Sequence, residues 1–113
     1  MRKRIKIAIP TDDGQIIGKK FRGSRGFLVA TIESGRIVHQ ELRWNLLSEM
    51  INSELGVLYN LCDCDAVIVS EIGKCLYQRL EADKKNIIRT IETDIPLALI
   101  QFIESIPVFS EVN

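Results

Sequence analysis

Carboxylate residues follow a short apolar segment near the start of the chain. The segment 5–9 is followed by Pro10, Asp12, Asp13 and Gly14. Polar residues that directly follow a strand lie at one edge of a sheet, where open α/β proteins bind their ligands. Paired carboxylates there could hold Mg²⁺ for phosphoryl chemistry. The same Asp-Asp-Gly pattern is also typical of a turn closed by aspartate side chains, and we favour the turn.

A basic loop follows this acidic segment. Its cationic side chains are separated by glycines: Lys19, Lys20, Arg22 and Arg25 alternate with Gly18, Gly23 and Gly26. Arginine forks and the backbone N–H groups of a glycine-rich loop together suit an anion. The alternative interpretation is a solvated loop without a ligand.

Cysteine is the third residue type that could do chemistry. The three cysteines are Cys62, Cys64 and Cys75, an odd number that does not suit a disulfide framework and fits a reducing cytoplasm. Thiolates are good ligands for soft metals, but a zinc site usually needs four ligands. We therefore predict that Cys62 and Cys64 are buried structural residues. Cys75 is the cysteine to test as a metal ligand.

Length and charge limit the classes of protein to consider. The 113 residues predict a single domain over 1–113, with a core at about 4–105 and a loose tail at 106–113. Lysine plus arginine and aspartate plus glutamate both number 15. This balance argues against general nucleic-acid binding, which needs a basic excess. The apolar segment near the start is too short for a membrane span or a secretory leader.

Hydrophobic periodicity predicts the elements that position these residues. Alternating residues predict strands over 4–9, 26–32 and 36–42, the last two forming a hairpin around Gly35. Helical spacing runs over 47–61, and a continuous apolar strand over 66–70 follows.

The remainder of the chain alternates helix and strand. It predicts a helix over 74–80, a strand over 86–89, and a final helix that Asp94 caps and that ends before Pro107. The order β-β-β-α-β-α-β-α predicts a mixed five-stranded sheet with helices on both faces. This is a ribonuclease-H-like α/β layout, in which strands 1, 4 and 5 are parallel and strand 2 is antiparallel to strand 1.

Several of these segments resemble one known family. The segment Lys-Ile-Ala-Ile-Pro-Thr-Asp-Asp-Gly at 6–14, the spacing of Phe21 and Phe27, and the segment 67–69 before Ile72 and Gly73 carry the likeness. They resemble the dinitrogenase iron-molybdenum cofactor biosynthesis family, which includes NifX, NafY and the C-terminal domain of NifB. The resemblance covers roughly residues 5–104 and implies a ribonuclease-H-like fold.

The resemblance also implies a function and a set of site residues. It implies a non-catalytic carrier of iron-molybdenum cofactor, of its precursor or of another metal–sulfur cluster, working with protein partners of a metallocluster pathway. The cofactor-binding residues would be Asp12, Lys20, Phe21, Arg22, Gly23, Arg25, Ile72 and Gly73, and Cys75 would be the candidate metal ligand. In this scheme the basic loop receives the anion, and Ile72 and Gly73 present backbone N–H groups at a helix start.

One departure from the family keeps other interpretations open. Family members usually carry histidine where this chain has Lys20, and the single histidine, His39, lies in a predicted strand. A second hypothesis is therefore a domain without cofactor that acts in regulation or protein interaction, as a monomer or as a homodimer paired through an edge strand. A Mg²⁺-dependent nuclease is the third, and the apolar first strand disfavours it.

Overall fold

A computed structural model describes residues 4–21, 23–44 and 61–112, with side chains as far as Ser105. Its elements in chain order are β1 Arg4–Thr11, β2 Gly26–Glu33, β3 Arg36–Trp44, β4 Ala66–Val69, α1 Lys74–Ala82, β5 Asn86–Arg89 and α2 Ile95–Val112. The α/β class and the five predicted strands are confirmed. The helix predicted over 47–61 lies outside the described residues.

The strands form one mixed sheet in the order β3-β2-β1-β4-β5. β1 pairs antiparallel with β2 and parallel with β4, and β4 pairs parallel with β5. β2 and β3 form the predicted hairpin, whose ladder contains one irregularity between Thr31 and Ile32. Because β1 and β4 run in the same direction, the segments that follow them meet at one edge of the sheet.

Alternate residues of β1 supply the two faces of the core. Ile7 and Ile9 belong to a first cluster, which includes Ile95 and Leu99 of α2. Ala8 belongs to a second cluster on the opposite face, which includes Leu76 and Leu80 of α1. Full burial of one such large aliphatic side chain stabilises the fold by about 1.5–3 kcal/mol. The period-2 pattern of β1 therefore holds the sheet between the two groups of apolar residues.

β1 and α2 continue past the prolines that were predicted to end them. β1 continues through Pro10 to Thr11, with Pro10 opposite Phe27, since a proline lacks only the donor and its carbonyl still accepts the Gly18 N–H at 2.7 Å. α2 continues past Pro107 to Val112, where the sequence predicts a loose tail. A proline inside a helix removes one hydrogen bond and crowds the carbonyl four residues earlier, and α2 continues past Pro107 in spite of this cost.

A group of ion pairs joins β3 to the turn before β4. The Arg43 guanidinium donates to both Asp63 oxygens, at 2.6 and 2.8 Å, and to Glu41 Oε1 at 2.7 Å. Lys6 Nζ lies 3.1 Å from Asp63 Oδ2. The hydrogen bonds from Arg43 and Lys6 hold the pKa of the Asp63 carboxyl well below its usual range. The bidentate geometry fixes the direction of the pair as well as its distance.

Replacing Gly26 should test the close approach of β2 and β3. A Cβ at Gly26 would lie 2.4 Å from the Arg43 carbonyl oxygen, so one strand must shift. We expect Gly26→Ala to lower the free energy of unfolding by about 1–3 kcal/mol in urea titrations. Gly73→Ala is the control, because a Cβ there meets nothing within 4 Å. Equal stability of the two variants would contradict the close packing.

The Asp63 ion pairs predict a pH-dependent contribution to stability. Since the folded-state pKa of Asp63 is depressed, its stabilisation is present above the unfolded value and is lost as the pH falls below about 4. We expect Asp63→Asn to lower the free energy of unfolding by about 1 kcal/mol at pH 7, a value reduced to allow for the exposure of the side chain. Urea titrations at pH 7 and pH 3 should show the gap from the wild type narrowing at the lower pH.

Glu33→Gln is the matched control for that experiment, because Glu33 pairs at 3.0 Å with Arg4, whose side chain is largely exposed. Glu33→Gln should lower the free energy of unfolding less than Asp63→Asn does at pH 7. An equal loss in the two variants would mean that the bidentate contact of Asp63 adds nothing to stability.

Candidate functional site

The segment after β1 is a tight turn closed by the buried Thr11 hydroxyl. Thr11 Oγ1 donates to the Ile16 carbonyl at 2.7 Å and accepts the Gly14 N–H at 2.9 Å. Asp13 Oδ1 accepts the N–H groups of Gln15 and Ile16, at 2.8 and 2.9 Å. These two backbone donors lower the pKa of Asp13. The turn predicted for this segment therefore forms, with Gly14 at φ +85°.

Backbone hydrogen bonds then fasten this turn to the start of α2. The Ile17 N–H donates to the Thr93 carbonyl at 2.7 Å, and the Ile95 N–H donates to the Gln15 carbonyl at 3.0 Å. Ile16 lies opposite Asp94 in an isolated bridge. Asp94, the predicted cap of the final helix, accepts the Ala98 N–H at its backbone carbonyl, 3.1 Å away. The turn that follows β1 is thus held against the residues that begin α2.

The basic loop, residues 19–25, is anchored by an aromatic side chain. Phe21 is fully buried in the second cluster, with its ring centroid 5.3 Å from that of Phe27. Ser24 Oγ donates to the Lys20 carbonyl at 2.6 Å. Phe21 was predicted as a cofactor-binding residue, which stays a prediction, and its burial fixes the position of the loop. The Phe21…Phe27 spacing noted in the sequence is therefore a packing contact.

Two further contacts bring the basic loop to the edge where β1 and β4 end. Asp12 Oδ1 accepts the Arg25 N–H at 2.8 Å. Lys20 pairs with Glu71 in a parallel bridge, and the Phe21 N–H donates to the Glu71 carbonyl at 3.3 Å. The sequence predicts Asp12 and the basic loop at the same edge of the sheet, but residue spacing predicts neither the Asp12–Arg25 hydrogen bond nor the Lys20–Glu71 bridge.

The side chains of the basic loop are displayed to solvent. Lys19, Lys20 and Arg25 are exposed, and Gly23 is exposed with φ +101°. Arg22, another predicted site residue, lies outside the described residues. Because the Arg25 backbone binds Asp12 while its side chain is exposed, the contact orders the loop and leaves the guanidinium to face solvent. The described part of the loop therefore presents three cations around Phe21, its buried anchor.

α1 starts at Lys74, and Ile72 and Gly73 separate it from Glu71. Gly73 is the N-cap, with φ −70° and ψ 153°, and no side chain caps the helix there. A Cβ on Gly73 would meet nothing within 4 Å, so the approach to the first helical N–H groups is open. Ile72, half-buried, packs against the second cluster. The positive end of the α1 dipole therefore lies a few residues after Glu71, the residue that pairs with Lys20.

Two carboxylates at this edge have structural roles, because Asp13 and Asp12 accept backbone N–H groups, as described above. Glu71 pairs with Lys20 through its backbone, and the residue is exposed. In residues 4–21, 23–44 and 61–112, no three His, Cys, Asp or Glu side chains cluster so as to hold a metal ion. The turn interpretation accounts for Asp13, and the magnesium interpretation gains no support from this geometry.

The cysteines lie at opposite ends of β4. Cys62 and Cys64 precede the strand, whereas Cys75 is the second residue of α1 beyond it. Cys64 is buried as predicted, and Cys62 is exposed, so the prediction of burial was wrong for Cys62. A tight turn, in which the Cys64 N–H donates to the Leu61 carbonyl at 3.0 Å, directs Cys62 outward. Cys75 is exposed in the first turn of α1.

Sequence reasoning missed two residues that shape the edge. Thr11 is fully buried and Ser24 nearly so, and both hydroxyls bond to backbone groups. A threonine directly before Asp-Asp-Gly is a signal for a side-chain-closed turn and could have identified Thr11. No comparable local signal marks Ser24, since its acceptor is fixed by the packing of Phe21.

Fold and edge together define the class of protein: a small α/β domain with a mixed sheet and an exposed basic loop beside an uncapped helix start. The sequence profile described as dinitrogenase iron-molybdenum cofactor matches residues 3–105. The chain belongs to this family, as its motifs at 6–14 and 21–27 predict. No curated protein sequence matches the chain.

Solved structures share the fold. A protein from Methanocaldococcus jannaschii assigned as a dinitrogenase has a TM-score of 0.74 and 21% identity, with 91% of each chain covered. The apo form of the orange protein from Desulfovibrio gigas has a TM-score of 0.67 and 17% identity, with 88% of each chain covered. A Thermotoga protein assigned as NifB has a TM-score of 0.62 and 21% identity, covering 95% of this chain and 88% of its own. At these identities the likeness establishes the fold alone.

The different environments of the cysteines predict their reactivity. Burial raises the pKa of the Cys64 thiol to about 12, so the nucleophilic thiolate is scarce. In native protein we expect maleimide to modify Cys62 and Cys75 rapidly and Cys64 only after unfolding, as followed by mass spectrometry. In urea all three should react alike. Rapid native modification of Cys64 would contradict its burial.

Proposed function

We propose that this chain is a non-catalytic carrier that binds an anionic metal–sulfur cluster, or a related anion, between the basic loop and the start of α1. Family membership supports a role in handling iron-molybdenum cofactor. The observation that carries the proposal is the backbone bridge between Lys20 and Glu71, because only Ile72 and the N-cap Gly73 separate Glu71 from the first residue of α1. This pairing brings side-chain cations and helical N–H groups to one place.

The attraction for an anion would come from exposed cations, which outweigh the nearby carboxylates only if they face the start of α1, since Asp12, Asp13 and Glu71 are exposed at the same edge. The chain has a formal net charge of zero, so any attraction for anions comes from the local arrangement. Lys19, Lys20 and Arg25 are exposed cations, and the first turn of α1 contains no acidic residue that would compete for its N–H groups. Charge-assisted hydrogen bonds from such groups contribute about 1.5–3 kcal/mol each. Two or three of them would retain a cluster without a covalent ligand.

Cys75 adds a soft ligand to this cationic site. It is exposed at the second position of α1, and thiolates prefer the metals found in metal–sulfur clusters. One thiol is not enough to assemble a cluster from free ions. It suits a cluster that arrives already built, with sulfide supplying most of the metal ligands. This is the chemistry of a carrier, in which the cargo is held and released without being changed.

The proposed site would need little rearrangement to receive its cargo. Asp12 and the buried Phe21 fix the basic loop from both sides, and a preorganised loop loses less entropy on binding. Strand order β3-β2-β1-β4-β5 supports the ribonuclease-H-like layout for this carrier. Three free thiols support a reducing compartment such as the cytoplasm. Among the described helices, none has the length and apolarity to cross a bilayer.

Anaerobic reconstitution tests the proposal. Protein incubated with tetrathiomolybdate, which is a preformed metal–sulfur anion, and then desalted should retain molybdenum by elemental analysis and show a visible charge-transfer band. We expect Lys20→Gln and Arg25→Gln each to weaken binding about tenfold, because each removes one charge-assisted contact. Cys75→Ser should change the spectrum.

Arg36→Gln is the matched control for these variants, because Arg36 is exposed at the far end of the β2–β3 hairpin. It should bind as the wild type does. If the wild type retains no molybdenum, or if Lys20→Gln and Arg36→Gln bind equally, the carrier proposal fails. The first of these results would favour the second hypothesis, a cofactor-free interaction domain in which Lys20 has replaced the family's histidine.

A further inference from the structure

β3 is an edge strand of the sheet, and among the described residues no strand pairs with its outer side. The sheet has two edge strands, β3 with nine residues and β5 with four. Proteins protect such edges by keeping them short, or with lysine, proline or a bulge, because unpaired backbone groups invite another strand. β5 is short. β3 contains no lysine or proline, and its one irregularity, opposite Thr31 and Ile32, lies towards the hairpin end.

Exposed apolar side chains are concentrated on this same strand. Half of the large hydrophobic residues exposed in the described parts of the chain belong to β3: Ile37, Val38, Leu42 and Trp44. Leu42 is 43% exposed and Trp44 is 38% exposed. They lie opposite Leu28 and Gly26, so they share the sheet face of the first cluster. A long edge with an apolar row is typical of a strand that pairs with another chain.

Charge along β3 identifies the partner and the register. We propose that a second copy of this chain pairs antiparallel with β3, with the two-fold axis at Leu42. Glu41 of each copy then lies opposite Arg43 of the other, and Gln40 lies opposite Trp44. Centring the pair on Glu41 would oppose two carboxylates, and centring it on Arg43 would oppose two guanidinium groups. Like charges directly opposite each other destabilise a ladder, whereas opposite charges stabilise it.

The irregularity in β3 excludes one more register. An axis at Gln40 would bring Val38, which the β2–β3 register skips between Ile37 and His39, into the new ladder. Such a bulge twists the strand and disrupts regular pairing. The axis at Leu42 uses the regular segment 40–44 from each copy.

This register brings compatible side chains together on both faces of the joined sheet. On the face of the first cluster, Leu42 packs against its own copy, with Trp44 of each chain diagonal to it. On the other face, Glu41 and Arg43 of the two chains alternate in charge, beside the Asp63 that already binds Arg43. The pairing therefore covers the exposed apolar row and extends the existing ion pairs. It involves neither the basic loop nor α1, so it does not depend on the proposed carrier function.

A concentration series measured by sedimentation equilibrium tests the pairing. The full chain should dimerise reversibly, and Leu42→Lys should raise the dissociation constant by about tenfold or more, because two lysines would meet at the axis. Leu97→Lys is the matched control, since Leu97 is 49% exposed on α2, away from β3. It should dimerise as the wild type does. Thermal unfolding by circular dichroism checks that both variants fold.

Cross-linking tests the register itself. In a Cys62→Ser, Cys75→Ser background, a short bis-maleimide should join Leu42→Cys into covalent dimers, because opposite Cβ atoms lie about 5 Å apart. Gln40→Cys should cross-link poorly, since the two residues would be about 13 Å apart along the ladder. A monomer at all concentrations, equal effects of the two lysine variants, or stronger cross-linking at residue 40 would each overturn the proposal.

Discussion

The loop between β1 and β2 has its shape because backbone pairings hold it against three distant parts of the chain. It contacts Pro10 at the end of β1, Thr93 before α2, and Glu71 after β4. These three segments meet only because β1 and β4 are parallel neighbours, so the loop depends on the central pairing of the sheet. The cations of the loop have a defined position for the same reason. A basic segment of equal composition on a free linker would have no such position.

Local pattern was enough to predict most of the fold. The strands were recognisable because β1 and β2 alternate or are continuously apolar, and glycines separate them. The course of the chain past Pro10 was not predictable, because the Gly18 N–H that pairs with the Pro10 carbonyl belongs to a later segment. The exposure of Cys62 was missed for a similar reason, since the direction of a side chain in a turn depends on backbone bonds that sequence alone does not show.

The candidate site shows the same division between local and distant information. Lysine, arginine and glycine in the loop could be identified by type, and Asp12 by its place after a strand. The contacts that arrange these residues could not be identified from the sequence. Asp12 accepts the N–H of Arg25, thirteen positions further along the chain. Lys20 pairs with Glu71, which lies in a distant segment of the chain. Residue type alone did not show that Phe21 is buried and anchors the loop. Residue type thus indicated the chemistry, and tertiary contacts decide the role of each residue.

Trp44 gives the molecule a local optical reporter. It is the single tryptophan of the chain, and its ring lies against Gly26, where β2 begins directly after Arg25. Indole emission shifts in wavelength with the polarity around the ring, and this ring is partly in solvent and partly on the sheet. All tryptophan fluorescence of the protein therefore originates at one corner, between the basic loop and the β3 edge. A change in the emission wavelength or anisotropy of the tryptophan can be assigned to that corner without any added label.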